Sequence, residues 1–225
     1  MVPRLIKQSV IWFACMMALM FIPAGTLAWP AGWIYLAEFG LASFAMTRWM
    51  LRNNPDLLAE RMSPLIQRAQ KAWDKALMSV FIFLWCAWFV VMGLDAVRYG
   101  WSHVPLWLQV LGALAILVSM YIIFLTVRAN TFAAPVVKIQ KERGHRVVSG
   151  GPYAIVRHPM YAGALLLIIA TPLLLGSWRG LAMAPVIIVL LATRAVLEER
   201  TLARELDGYA DYATHVRYRL IPMVW

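Results

Sequence analysis

Acidic side chains are scarce in this chain: 11 Asp and Glu stand against 21 Lys and Arg, a formal net charge of +10. The excess does not point to nucleic acid, because the cations lie in short segments between apolar runs and form no basic domain or arm. It reads instead as orientation signal and headgroup contact. Cysteine is nearly absent. Cys15 and Cys86 both fall inside apolar runs, which excludes a disulfide framework and a Cys-x-x-Cys metal or redox site and leaves packing roles. No strand, glycine-rich turn and helix follow one another, so the nucleotide-binding unit that soluble enzymes build on such a turn does not occur. No repeat of the kind that marks two-halved transporters is found.

Apolar residues are abundant. They make up 62% of the chain, with a mean hydropathy of +0.69, against roughly 45–50% in soluble domains. This excludes an ordinary soluble fold and indicates an all-α, polytopic membrane helix bundle. Apolar runs at 9–29, 30–51, 76–97 and 106–127 give a four-helix region over 1–127. The first is too long for a signal peptide and is followed at once by the second. Residues 161–175 and 181–193 are joined only by GSWRG and read as a tight helical hairpin, for about five or six spans in one structural unit. Pro172 and Pro185 should kink its arms. Glu38 lies inside the second run, where a carboxylate serves either function or a hydrogen bond to a neighbouring helix. The connection at 52–75 places Leu57, Leu58, Met62, Leu65, Ile66 and Trp73 so that an interrupted helix can lie on the bilayer surface.

One polar stretch interrupts the apolar pattern: HRVVSGGPYAIVRHPMY, residues 145–161. With both termini on one side of the membrane, only Arg98 and Arg179 of the 21 cations fall on the far side, leaving 21 − 2 = 19 with the termini. By the positive-inside rule that side is the cytoplasm, and the expected location is a bacterial inner membrane. The polar stretch therefore faces soluble cytoplasmic cofactors. His145 and His158 have no Cys or carboxylate at ligand spacing, so no metal is expected.

His145-Arg146-Val147-Val148, the Gly-Pro-Tyr ending at Tyr153, Arg157-His158-Pro159-Met160-Tyr161, Arg194 with Glu198-Glu199, and the tail Tyr209, Tyr212, Val216, Pro222 occur in a specific order. In that order they resemble the catalytic half of the isoprenylcysteine carboxyl methyltransferase family and its bacterial relatives, which also resemble phospholipid methyltransferases. The resemblance implies a catalytic region over 128–225, a cytosolic S-adenosylmethionine pocket, and side access from lipid for an apolar acceptor. It assigns the cofactor to His145, Arg146, Val147, Val148, Tyr153, His158, Pro159, Met160, Tyr161 and Glu198. Arg194 and Glu198, at i and i+4 on one helix face, are the implied catalytic pair, with Arg194 orienting the acceptor; a surface ion pair is the plain alternative. Lys138 and Gln140 compete for a further cofactor contact. The expected partners are a membrane lipid environment and a lipophilic or small methyl acceptor, a carboxylate, amine or thiol. The alternative activity is an NADPH-dependent membrane reductase resembling sterol reductases.

Overall fold

A computed structural model describes residues 2–67 and 70–225. Among them the chain forms eight α-helices and no strand: α1 Val2–Ala24, α2 Pro30–Asn53, α3 Pro55–Arg61, α4 Ala72–Gly93, α5 Leu106–Ala129, α6 Pro159–Leu175, α7 Trp178–Glu205 and α8 Tyr209–His215. A single π-helical turn, Leu94–Arg98, prolongs α4. Four helices are long and apolar enough to cross a membrane: α1, α4 with its π turn, α5 and α7; α6 is a shorter apolar helix. The polytopic bundle expected from hydropathy is what forms, because in lipid every backbone group must be satisfied within the helix.

Local chemistry sets the helix boundaries. Pro30, Pro55 and Pro159 open α2, α3 and α6, where a missing N–H costs nothing and the fixed φ favours the helix. Gly176, at φ +83°, ends α6 in the left-handed conformation that a glycine adopts without strain. Ser177 then caps α7 by accepting from the Gly180 N–H at 2.9 Å. The hairpin joint is therefore only Gly176 and Ser177. Pro172 and Pro185 lie inside unbroken helices.

Helices α5 and α6 make the closest pairing. A Cβ on Gly112 would stand 2.6 Å from Leu174 N, and one on Gly163 would stand 2.9 Å from Ile123 Cγ1. Ser119 Oγ crosses the same seam to donate to Gly163 O at 2.7 Å. Small residues and a crossing hydroxyl are how membrane helices associate when lipid and side chain are equally apolar. The main core joins these helices to α1, α2, α4 and α7 around Trp88, Phe89, Met20 and Ile168, all buried.

The connection at 52–75 departs from the surface-helix expectation. Leu57 and Leu58 are buried against Met50 and Val127, so this part of the stripe packs on protein rather than lipid. Leu65 and Ile66 remain exposed. Arg68 and Ala69 of this connection lie outside the described residues. Glu38 is half-buried, and its Oε2 finds no partner among the described residues.

Candidate active site

At the end of the bundle where α4 and α6 begin and α5 and α7 finish, a half-open cleft encloses about 900 Å³, part of it open to solvent. His145, Arg146, Val147, Val148, Tyr153, His158, Met160, Tyr161, Arg194 and Glu198 all line it, although they come from three separate stretches of sequence. Pro159 does not; it is buried as the first residue of α6.

The segment after α5 makes one wall by folding on itself. The turn Lys141–Arg143 ends at Gly144 with φ +62° and reverses the chain. His145 is thereby brought back so that its Nδ1 accepts from the Gln140 N–H at 3.3 Å while its ring stacks on Phe132 at 4.6 Å. Gln140 is spent inside this loop: it is buried, its amide donates to Phe132 O at 2.9 Å, and its carbonyl accepts from Arg143. Lys138 does line the cleft, paired with Glu60 at 2.7 Å. Arg61 ties the loop to α3 by donating to Ala133 O at 2.8 Å. Beyond the turn, the backbone of Arg146, Val147 and Val148 makes no backbone hydrogen bond among the described residues, so its donors and acceptors stay available in the cleft.

The opposite wall is a polar chain running across the helices. Asp74, fully buried in the first turn of α4, accepts from Arg194 Nε at 2.8 Å, from the Val137 N–H at 2.9 Å and from Gln70 Nε2 at 2.8 Å. Arg194 also donates to Pro135 O and to Tyr161 Oη, each at 2.8 Å. Tyr161 in turn donates to Glu198 Oε2 at 2.5 Å. Arg194 and Glu198 thus share a helix face, as their spacing predicts, with Tyr161 Oη bridging them; they are not a solvated surface pair.

Glu199 points another way and is buried. It accepts from Arg219 Nε at 2.8 Å, and Arg157 Nε and His158 Nε2 lie 2.9 and 3.4 Å from its other oxygen. Arg157 lines the cleft as well. Parallel to these contacts, the N–H groups of Arg157 and His158 donate to the carbonyls of Tyr218 and Arg219, both at 2.9 Å, and strap the C-terminal segment to the turn before α6.

Aromatic residues close the cleft. Tyr153 Oη accepts from Asn130 Nδ2 at 2.9 Å, and Tyr212 Oη donates to Tyr153 O at 2.7 Å. Burial pushes the Tyr153 and Tyr209 phenols well above their ordinary pKa, so both stay neutral donors. Tyr209 lines the cleft, and its buried Oη has no partner among the described residues. Burial, reinforced by Arg143, holds His145 below the ordinary imidazole value, which fits an Nδ1 that accepts. A histidine depressed in the folded state contributes full stability above its unfolded pKa of about 6.5 and loses it as pH falls towards the folded value. The melting temperature of the detergent-solubilised protein should therefore decline below about pH 6.5, and His145→Gln should flatten that decline.

Residues 107–207 match the phospholipid methyltransferase family. The matched stretch begins in α5, ends just after α7 and holds every residue to which the resemblance assigns a catalytic or cofactor role. That match supports a membrane methyltransferase in general, in line with the resemblance. No curated protein matches the chain. Several cleft residues went unassigned in the sequence. Asn130 and Phe132 sit in a loop without a recognisable motif, and Tyr209 and Tyr212 read equally well as interface anchors. Asp74 carried one visible signal, an acid in the first turn of a long apolar helix. Among the described residues, no three His, Cys, Asp or Glu side chains gather as a metal site.

Proposed function

We propose that the protein is an S-adenosylmethionine-dependent methyltransferase that works at the cytoplasmic face of the membrane on a lipophilic or small acceptor. The observation that carries this reading is the cleft's composition: the unpaired backbone of Arg146–Val148 lies in one cavity with Glu198, stacked aromatic rings and the unsatisfied Tyr209 hydroxyl. Such a set fits the cofactor. Backbone donors and acceptors suit an adenine edge, the Phe132 and Tyr153 rings suit its faces, and a carboxylate suits an ammonium or ribose hydroxyls. When bound, S-adenosylmethionine supplies a methyl group on a sulfonium that a nucleophile can displace in line. His158 and Tyr161, stacked at 5.4 Å, would pack its methionyl end.

The chain's contribution is positioning and exclusion of water. A carboxylate acceptor is already ionised and needs no base. An amine or thiol needs one, and Glu198, held through Oε2, is the group in reach. Arg194 has hydrogen bonds to Asp74, Pro135 and Tyr161, so in this reading it fixes Tyr161 and Glu198 and orients the acceptor's polar end through them. The catalytic region of 128–225 and a cytoplasmic orientation of the cation-rich end complete the proposal.

Calorimetry on the purified protein should detect saturable binding of S-adenosylmethionine or S-adenosylhomocysteine and none of NADPH. Glu198→Gln should weaken binding about tenfold to hundredfold, the loss of one charge-assisted hydrogen bond of roughly 1.5–3 kcal/mol. Binding of NADPH alone would replace this reading with the reductase.

A further inference from the structure

Asp74 stands on α4, outside the stretch 107–207 that matches the methyltransferase family, yet it is fully buried against the candidate site. Its carboxylate gathers three elements: Gln70 before α4, the Val137 N–H of the cleft wall, and Arg194 of α7. An arginine side chain has many rotamers, and Arg194 is held in one by Asp74 on its Nε and Pro135 O on its Nη2. Its Nη1 is thereby aimed at Tyr161 Oη. A phenol has a single proton to donate. Because Arg194 donates into the Tyr161 oxygen, that proton is directed to Glu198 Oε2. The orientation of the cleft carboxylate is thus set three links away.

We propose that Asp74 is a positioning residue of the methyltransferase site, fixing Glu198 through Arg194 and Tyr161. The N-terminal half of the chain then completes the site rather than only anchoring it. The inference rests on the cofactor reading above, and the experiment separates the two.

Full-length protein in detergent is titrated with S-adenosylhomocysteine by calorimetry, and its melting temperature is recorded in parallel. Asp74→Asn should weaken binding at least tenfold. Tyr161→Phe breaks the same chain, so adding Asp74→Asn in that background should cost less than a further twofold; a merely structural aspartate would give losses that multiply. Should Asp74→Asn alone fail to fold, Asp74→Asn with Arg194→Gln removes both buried charges together. That pair should recover a near-parental melting temperature while binding stays at least tenfold weaker. Parental affinity in Asp74→Asn or in the charge-neutral pair, or multiplicative losses with Tyr161→Phe, would overturn the positioning role and leave the cofactor reading intact. Absence of binding by the parent would overturn both.

Discussion

Glu199→Ala should release the C-terminal segment and cost about 3–5 kcal/mol, the usual consequence of removing one partner from a buried ion pair. The carboxylate is the one anion set against Arg157 and Arg219 in this cluster, and its side chain is only 10% exposed. Without it two guanidinium groups and His158 are left facing one another where water is scarce. Arg219 then loses its anchor, and the segment keeps the backbone bonds to Tyr218 and Arg219, the Arg157 bond to Arg217 O and the buried Leu220. Limited proteolysis should cut after Arg217 or Arg219 much faster than in the parent. Because Arg157 and His158 line the cleft, S-adenosylhomocysteine affinity should fall with the same substitution. Parental resistance to trypsin would show that the backbone bonds suffice and that Glu199 is dispensable to the strap.

The case of Glu199 shows where the sequence was readable and where it was not. Glu198 and Glu199 are adjacent acids of identical chemistry, and a motif treats them as one element. Helical geometry separates them by about 100°, so one faces the cleft and its neighbour faces the tail. Their helix also runs further than hydropathy indicates. The apolar run fades near residue 193, yet α7 continues to Glu205, because Glu199 packs on the tail and Leu202 on α8 while Arg200, Arg204 and Glu205 face water. By contrast, the hairpin joint and the start of α6 follow directly from Gly176, Ser177 and Pro159, whose backbone preferences are local. Long-range partners are what local preference cannot supply. The link from Asp74 to Arg194 spans 120 positions, and nothing in either neighbourhood names the other. The stripe through Leu57 and Leu58 failed as a membrane-surface signal for a related reason: periodicity reveals an apolar face but not whether lipid or Val127 will cover it.

The other large effect is expected at the far end of the bundle, where Asp95→Ala should destabilise the fold without touching cofactor affinity. Asp95 sits in the π-helical turn after α4 and is fully buried. Its Oδ2 accepts from Ser102 Oγ and from Ser177 Oγ, both at 2.6 Å, and from the Arg179 N–H at 3.2 Å. Each serine oxygen in turn accepts a backbone N–H of α7, Trp178 by Ser102 at 3.1 Å and Gly180 by Ser177 at 2.9 Å. Three first-turn donors of α7, which have no partner within the helix, are therefore satisfied by one carboxylate and its two hydroxyls. The negative charge also lies at the positive end of the helix dipole. Alanine would orphan both serine hydroxyls and the Arg179 N–H. At roughly 1–3 kcal/mol for each buried unsatisfied group, a loss of several kcal/mol follows. Asp95→Asn should cost less, since an amide oxygen can still accept, but it forfeits the charge. The expected result is a clear fall in melting temperature for Asp95→Ala, a smaller one for Asp95→Asn, and parental S-adenosylhomocysteine affinity in whatever fraction remains folded. Equal melting temperatures for the parent and Asp95→Ala would mean that water enters this end of the bundle and takes over the carboxylate's role.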